Sequence, residues 1–411
     1  MLYRLRLLIG ILRGRLMKLI NRDIEKEFII LASEYPVITI LGPRQSGKTT
    51  LSRMLCPDKP YCSLENPDIR EFALHDPRGF LNKYKHGAIL DEIQRAPLLL
   101  SYLQQIVDDG IPNGSFILTG SHQLGLHNNI TQSLAGRTGL LTLYPYSLNE
   151  IKKTNSIQNI DTFDLICKGF YPGIHSKSIR TASFHRNYIK TYIERDVREL
   201  INLKDLTLFQ KFMKLLAGRI GQLVNNSNLA NDIGVSSTTI KNWISILSAS
   251  FLIYELPPYF KNSRKRLVKT SKIYFTDTGV ASFLLGIKNR EQLERDPLRG
   301  AIFENAVVME VVKGLNNFGL DENLYFYRDS NNNEVDLLID LGKILLPLEI
   351  KSSETFNKSF LKGIKCFFSD YKDKSKNGIV VYNGEYEQSL GNVEIINYLS
   401  LINKLKIFHR D

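Results

Sequence analysis

Cysteine is scarce. The chain has four in 411 residues, Cys56, Cys62, Cys167 and Cys366, and none has a neighbour at metal-ligand spacing. That excludes a disulfide scaffold and a cysteine-based zinc module, and it fits reduced thiols in a cytoplasm. The seven histidines are scattered, and His122 and His127 stand without cysteine partners, so no zinc ligand set is spelled out. Long apolar runs are missing too. No segment approaches ~18 uninterrupted apolar residues, so no stable membrane insertion is expected. Internal repeats and low-complexity stretches are absent. Residues 1–22 lack any acid and hold Arg4, Arg6, Arg13, Arg15, Lys18 and Arg22, half of the net charge of +12. The remainder carries +6, a mild bias that permits nucleic-acid binding without requiring it. The longest apolar run in that opening segment, Leu7 to Leu12, is too short for a bilayer span or a good signal core. The segment reads either as a surface-seeking amphipathic helix or as an extension upstream of a start at Met17.

What is present is the composition of a soluble globular protein, 43% hydrophobic and 23% charged, at a length that calls for roughly two to four domains. The patterning divides the chain into a basic extension over 1–22, a P-loop domain over 23–165, a helical and winged-helix part over 166–292, and a third unit over 293–411. In the second of these, short apolar runs at Val37–Leu41, Pro60–Leu64, Ala88–Leu90, Phe116–Leu118 and Leu140–Leu143 alternate with helical patterns. That predicts an α/β domain with a parallel sheet.

The first run leads into Gly42-Pro43-Arg44-Gln45-Ser46-Gly47-Lys48-Thr49-Thr50, followed by a helical stretch to Leu55. Strand, glycine-rich loop and helix in this order make a phosphate-binding P-loop. The glycines let backbone N–H groups turn toward an anion, and the helix start adds positive potential. Lys48 is expected to reach the β- and γ-phosphates of ATP and Thr49 to take a place on Mg²⁺. Arg44 is a further candidate for contact with the nucleotide. Downstream, Gly87-Ala88-Ile89-Leu90-Asp91-Glu92 reads as a strand ending in two acids, the arrangement of a Walker B strand. Asp91 is expected to hold the magnesium shell and Glu92 to orient or deprotonate the attacking water. The next strand ends in Thr119-Gly120-Ser121-His122-Gln123 and is expected between the two Walker strands. Ser121 is the candidate γ-phosphate sensor, with Thr119 or Gln123 as alternatives. Arg137, in Leu134-Ala135-Gly136-Arg137-Thr138-Gly139, either stabilises phosphoryl charge in its own site or a neighbour's, or forms a surface ion pair.

In the middle region, Arg186 to Leu203 places apolar residues on one helical face, a core pattern. Ser227 to Leu247 reads as a helix-turn-helix. Leu229, Ile233, Ile240, Trp243, Ile244 and Leu247 form its core, Gly234 makes the turn, and Ser236 or Ser237 is the cap. Ser237, Thr238, Lys241 and Asn242 form the exposed face, which either meets DNA or is a bystander to domain docking. A hairpin pattern follows, Phe251–Leu256, the Pro257-Pro258 break, and then Lys261, Arg264, Lys265, Arg266, Lys269 and Lys272, like a winged helix with a basic wing.

The last unit starts with a helix, Gly300 to Gly314, in which Glu304 lies among apolar residues and needs a partner. Glu334-Val335-Asp336 and, thirteen residues on, Glu349-Ile350-Lys351 put polar side chains on one face of two strands. Asp336 and Glu349 are candidate ligands of a divalent cation, with Lys351 positioning water or charge beside them. The alternative is a solvated ion-paired hairpin face, or a site that does not cleave.

Taken together, these motifs, with Tyr192-Ile193-Glu194-Arg195-Asp196 and Phe303-Glu304, resemble those of the bacterial and archaeal AAA-type ATPases that carry a C-terminal restriction-endonuclease-like domain of unknown function. The resemblance runs from about Met17 to the C-terminus. It implies a P-loop core, a winged-helix middle and an α/β nuclease-like end, and no settled biological role. The Walker motifs themselves point to ATP and Mg²⁺ as cofactors, DNA is a candidate partner through the last two parts, and a second copy of the chain in a homo-oligomer is another candidate. Two functions follow from the motifs. One is an ATPase whose nucleotide state controls the winged-helix and nuclease-like parts. The other is a nucleotide-dependent binding switch whose last domain recognises protein or DNA without cutting.

Overall fold

A computed structural model describes residues 10–12, 15–17, 19–121, 133–153, 161–177, 179–193, 205–260 and 270–405. His122, Gln123, His127, Glu194, Arg195, Asp196 and the basic residues Lys261, Arg264, Lys265, Arg266 and Lys269 lie outside the described residues.

After an antiparallel pair of short strands, Gly10–Leu12 with Arg15–Met17, helix α1 (Glu25–Glu34) leads to strand β1 (Val37–Leu41). All five β1 residues are buried. Val37 and Leu41 face one apolar cluster and Ile38 and Ile40 the other, as a parallel strand covered on both faces requires. Helix α2 (Lys48–Leu55), β2 (Tyr61–Ser63), β3 (Ile89–Asp91), helix α3 (Leu99–Asp108), β4 (Phe116–Gly120) and β5 (Thr138–Thr142) complete the frame. The five strands form a wholly parallel sheet in the order β2-β3-β4-β1-β5. Strand β4 therefore separates the P-loop strand from the Asp91 strand, as the sequence predicts.

The middle region is mostly helical. Helix α4 (Thr162–Lys168) is followed by α5 (Thr181–Tyr188), which passes into a π turn at Ile189–Ile193 rather than one uninterrupted α-helix. Helices α6 (Leu206–Ala217), α7 (Asn226–Ile233) and α8 (Ser237–Ala249) follow. Gly234, at φ +90°, ends α7, and the Ser236 hydroxyl accepts from Thr239 N to cap α8. The six apolar residues expected in the helix-turn-helix core are all buried. Trp243 packs on Phe209 and Phe212 of α6, with ring centroids 5.3 and 5.2 Å apart. An antiparallel pair, β6 (Ile253–Leu256) with β7 (Lys272–Phe275), follows, then α9 (Thr278–Leu285).

The last unit opens with α10 (Arg299–Asn317), 19 residues or ~28 Å long. Then come β8 (Leu324–Arg328), β9 (Glu334–Asp340), β10 (Leu345–Lys351), helix α11 (Lys362–Asp370), β11 (Gly378–Tyr382), β12 (Gln388–Leu390) and β13 (Val393–Asn397). The sheet order is β8-β9-β10-β11-β13-β12, with β10, β11 and β13 parallel and the other pairs antiparallel. The Pro257-Pro258 break positions the middle hairpin against this sheet. Phe326 N donates to Pro257 O at 3.0 Å and Tyr259 N to Phe326 O at 2.7 Å. One continuous buried apolar cluster runs from β1 and β4 through α6 and α8 into α10 and β10, so the parts share a core rather than hanging on linkers.

Candidate functional site

The loop after β1 needs its glycines. Gly42 sits at φ +142°, and a Cβ there would lie 2.3 Å from the Leu143 carbonyl oxygen. Gln45 and Gly47 also take positive φ, 62° and 101°. The resulting loop wraps a cavity of about 710 Å³. Arg44, Gln45, Ser46, Gly47, Lys48, Thr49 and Thr50 line it, together with Asp91, Glu92, Tyr146, Pro172 and Gly173. Lys48 is buried and donates to Gly42 O and Pro43 O at 2.8 and 2.9 Å. Burial pushes its pKa down to about 8, against the opposing pull of the Glu92 and Asp91 charges. Arg44 turns to Glu65 at 3.3 Å.

Asp91 gathers hydroxyls from three elements. Thr49 Oγ1 donates to its carboxylate at 2.9 Å and Tyr61 OH at 2.7 Å, and Thr119 Oγ1 donates as well. Thr49 and Asp91 thus stand side by side, a hydroxyl and a carboxylate whose oxygens are hard donors of the kind Mg²⁺ takes alongside water and phosphate oxygens. Glu92 occupies the left-handed region at φ 59°, ψ 49°, which costs a non-glycine residue ~1 kcal/mol or more unless its surroundings hold it. Here they do. Glu92 N donates to Thr119 Oγ1 at 3.2 Å, Ser121 Oγ donates to the carboxylate at 3.1 Å, and Gln94 donates to the same oxygen and, at 3.0 Å, to Ser121 Oγ. Ser121 and Thr119, both named as sensors, thus lie against the two acids.

Arg137 requires a correction. It precedes β5, which runs parallel to β1 with Val37 opposite Thr138 and Leu41 opposite Thr142. It therefore stands at the far end of the sheet from the P-loop, ~15 Å along the strands. Its guanidinium forks onto Asp108 of α3 at 2.6 and 3.0 Å, so it does not serve the phosphate site of its own chain.

A second correction concerns Arg22, grouped with the basic extension on composition. It is buried under the P-loop. Its guanidinium donates to Ser46 O at 2.8 Å, Tyr144 O at 2.7 Å and Glu150 Oε1 at 2.9 Å, and it lies 4.9 Å from the Tyr146 ring centroid. Tyr61 and Gln94 were likewise not assigned roles from sequence. The one local signal was their placement within two or three residues of predicted strand ends.

In the last unit the structure brings Glu304, Asp336, Glu349 and Lys351 together. Lys351 Nζ lies 2.7 Å from Glu349 and 3.5 Å from Asp336, and Ile350 N donates to Asp336 at 2.8 Å. Burial, then the neighbouring Asp336 charge, pushes the Glu349 carboxyl up, and its Oε2 has no hydrogen-bond partner. Glu304 is also pushed up by burial. Its partner comes from elsewhere: Lys272 on β7, read from sequence as part of the wing, lies 3.1 Å from Glu304 and 2.5 Å from Glu334, and Tyr274 OH donates to Glu304 at 2.6 Å. Burial lowers the Lys272 pKa, but the Glu304, Asp336 and Glu334 charges outweigh it and raise the pKa overall. Among the described residues, no three His, Cys, Asp or Glu side chains gather closely enough to hold a metal ion. No helix among the described residues is long and apolar enough to cross a membrane.

Family models match three consecutive segments: an AAA domain over 34–152, a domain of unknown function (DUF8612) over 159–291 and another (DUF4143) over 299–401. Uncharacterized proteins of Mycobacterium bovis and Mycobacterium tuberculosis are each 31% identical over 323 residues, covering 78% of this chain and 71% of theirs. An uncharacterized protein of Haemophilus influenzae is 22% identical over 213 residues, 49% of this chain and 52% of that one. Among solved structures, the Walker-type ATPase of Pyrococcus abyssi aligns at 17% identity and TM-score 0.42, over 65% of this chain and 96% of that chain. AMPPCP-bound DnaA from Aquifex aeolicus aligns at 14% and 0.28, over 55% and 85%. The P-loop geometry and the AAA match make the first domain that of an ATP-binding ATPase, and the chain belongs to one family with the mycobacterial proteins, an AAA-type ATPase domain followed by two domains of unknown function.

Proposed function

We propose that the protein uses Mg²⁺-dependent ATP hydrolysis to reposition its helix-turn-helix and C-terminal parts on nucleic acid. The observation that carries this reading is the meeting of Lys48, Thr49, Asp91 and Glu92 in one cavity at the C-terminal ends of two parallel strands, β1 and β3, that flank β4. Loop N–H groups and the α2 start take the phosphates, and Lys48 neutralises the β- and γ-oxygens. Thr49 and Asp91 hold the magnesium ion, which supplies charge to the phosphate oxygens when bound. Glu92 orients and deprotonates water. Ser121 senses the γ-phosphate through its bond to Glu92. Arg137 serves a neighbouring copy in a homo-oligomer. The middle part works as a winged helix, presenting the exposed Ser237, Thr238, Lys241 and Asn242 to DNA. The chain works in the cytoplasm. Phosphate release by the purified protein in Mg²⁺ and ATP tests the core of this reading, and turnover no higher than that of a Lys48→Ala control sinks it.

For the C-terminal part there are two readings. In the first it is a restriction-endonuclease-like domain that cuts through Asp336, Glu349 and Lys351 around a divalent cation, assisted by Glu304. In the second it binds nucleic acid or protein without cutting, as a nucleotide-dependent switch. One observation favours the second: Lys272 of the middle hairpin already supplies a buried positive charge to Glu304 and Glu334. DNA incubated in Mg²⁺ or Mn²⁺, with and without ATP, separates them. Cutting by the parent that Lys351→Ala abolishes supports the first. Intact DNA, bound with different affinity in ATP and ADP, supports the second.

A further inference from the structure

A buried chain of polar contacts leads from the P-loop to the C-terminal unit. Arg22 clamps the Ser46 carbonyl oxygen at 2.8 Å. The Ser46 C=O and the Gly47 N–H belong to one planar peptide group. Fixing the oxygen on the Arg22 side therefore aims the Gly47 N–H to the opposite side, where a P-loop presents its donors to phosphate. What holds Arg22 is the segment 144–150: Tyr144 O at 2.7 Å and Glu150 at 2.9 Å. That segment is in turn held by α10. Leu148 N donates to Glu310 at 2.8 Å, and Lys313 Nζ donates to Tyr146 O at 3.0 Å. Glu310 and Lys313 lie three residues apart on one helical face, and both are buried. The same helix carries Glu304 into the acidic cluster, nine residues or ~14 Å before Lys313.

We propose that Lys313 and Glu310 of α10 are positioning residues for the nucleotide site, acting through segment 144–150 and Arg22 on the Ser46–Gly47 peptide, so that ATP affinity depends on where the C-terminal unit holds α10. The proposal rests on ATP binding at the P-loop. A buried ammonium and carboxyl at this interface are costly groups to keep, and every hydrogen bond they make to the ATPase domain goes to the backbone that carries Arg22's acceptors. Linkage makes the effect reciprocal, so ATP binding tightens the α10 contact by the same factor.

The test is ATP affinity and steady-state kinetics of the full chain and its variants. Lys313→Met should weaken ATP binding by about tenfold, the value of one charge-assisted bond, raising KM while kcat stays within about twofold. Val308→Ala removes buried apolar volume from the same helix and should leave ATP affinity unchanged, which separates coupling from lost stability. Arg22→Lys combined with Lys313→Met should be strongly non-additive in ATP affinity. If Lys313→Met does not fold, hydrogen exchange in the parent takes its place: the Leu148 amide should exchange more slowly with ATP bound. Equal ATP affinity in parent and Lys313→Met, additive single effects, or Leu148 exchange indifferent to ATP each overturn the coupling. A parent that binds no ATP overturns the nucleotide reading itself.

Discussion

Lys48 gives the sharpest test of the nucleotide site. In the free protein its ammonium is buried against Gly42 O and Pro43 O, and burial brings its pKa down to about 8. A triphosphate on the loop surrounds it with negative charge and restores the protonated form. ATP binding must then take up a proton wherever the free lysine is neutral. A pKa near 8 gives an uptake of about 0.1 proton per ATP at pH 7, about 0.5 at pH 8 and about 0.9 at pH 9, and an affinity that falls about tenfold between pH 7 and 9. The assay is titration calorimetry in buffers of different ionisation enthalpy across that range, with Lys48→Arg as the partner variant, since its guanidinium stays charged. Uptake that stays flat in the parent, or rises equally in Lys48→Arg, refutes the reasoning. The same shift has a stability consequence of defined sign. The folded pKa lies below the ordinary 10.5, so the folded state binds fewer protons between about pH 8 and 10.5. The stability of the free parent relative to Lys48→Met therefore rises with pH through that window, by roughly 3 kcal/mol at most.

Other substitutions test other parts. Gly42→Ala places a Cβ 2.3 Å from Leu143 O at φ +142° and should cost ~2–4 kcal/mol of stability, read as a lowered thermal midpoint. Glu92→Gln should keep ATP affinity within about twofold while phosphate release falls by about 10²–10⁴; unchanged turnover removes Glu92 from the chemistry. Arg137→Ala should leave ATP affinity intact and lower turnover only where chains assemble, so turnover that matches the parent at every protein concentration excludes its action on a neighbour. Trp243→Ala opens the contact with Phe209 and Phe212 and should cost ~3–5 kcal/mol in denaturant unfolding.

The sequence by itself determined what depends on neighbouring residues. The apolar run Val37–Leu41 became strand β1 because β-branched and aliphatic side chains with no charge suit a strand buried on both faces. The P-loop was readable because its glycines, lysine and threonine must be consecutive to fold around one anion. Asp91 and Glu92 were readable as acids ending a strand, and the helix-turn-helix from its spacing, glycine turn and serine cap. The tertiary structure alone decided which charges meet. Arg22 and Glu150 are 128 residues apart, and Lys313 and Tyr146 are 167 apart. No local pattern encodes such pairs, and composition assigned Arg22 to a basic extension. Lys272 read as a wing residue until the hairpin docked on β8 and set it between Glu304 and Glu334. Arg137 read from sequence either as a stabiliser of phosphoryl charge, in its own site or a neighbour's, or as a surface ion-pair residue, and only the strand register put it at the far end of its own sheet, paired with Asp108. In each case the reason is the same: a charge takes the partner that distant elements bring beside it, and for the buried Arg22, Lys272 and Lys313 a partner is obligatory, so the outcome is set by packing and not by the residues beside it in the chain.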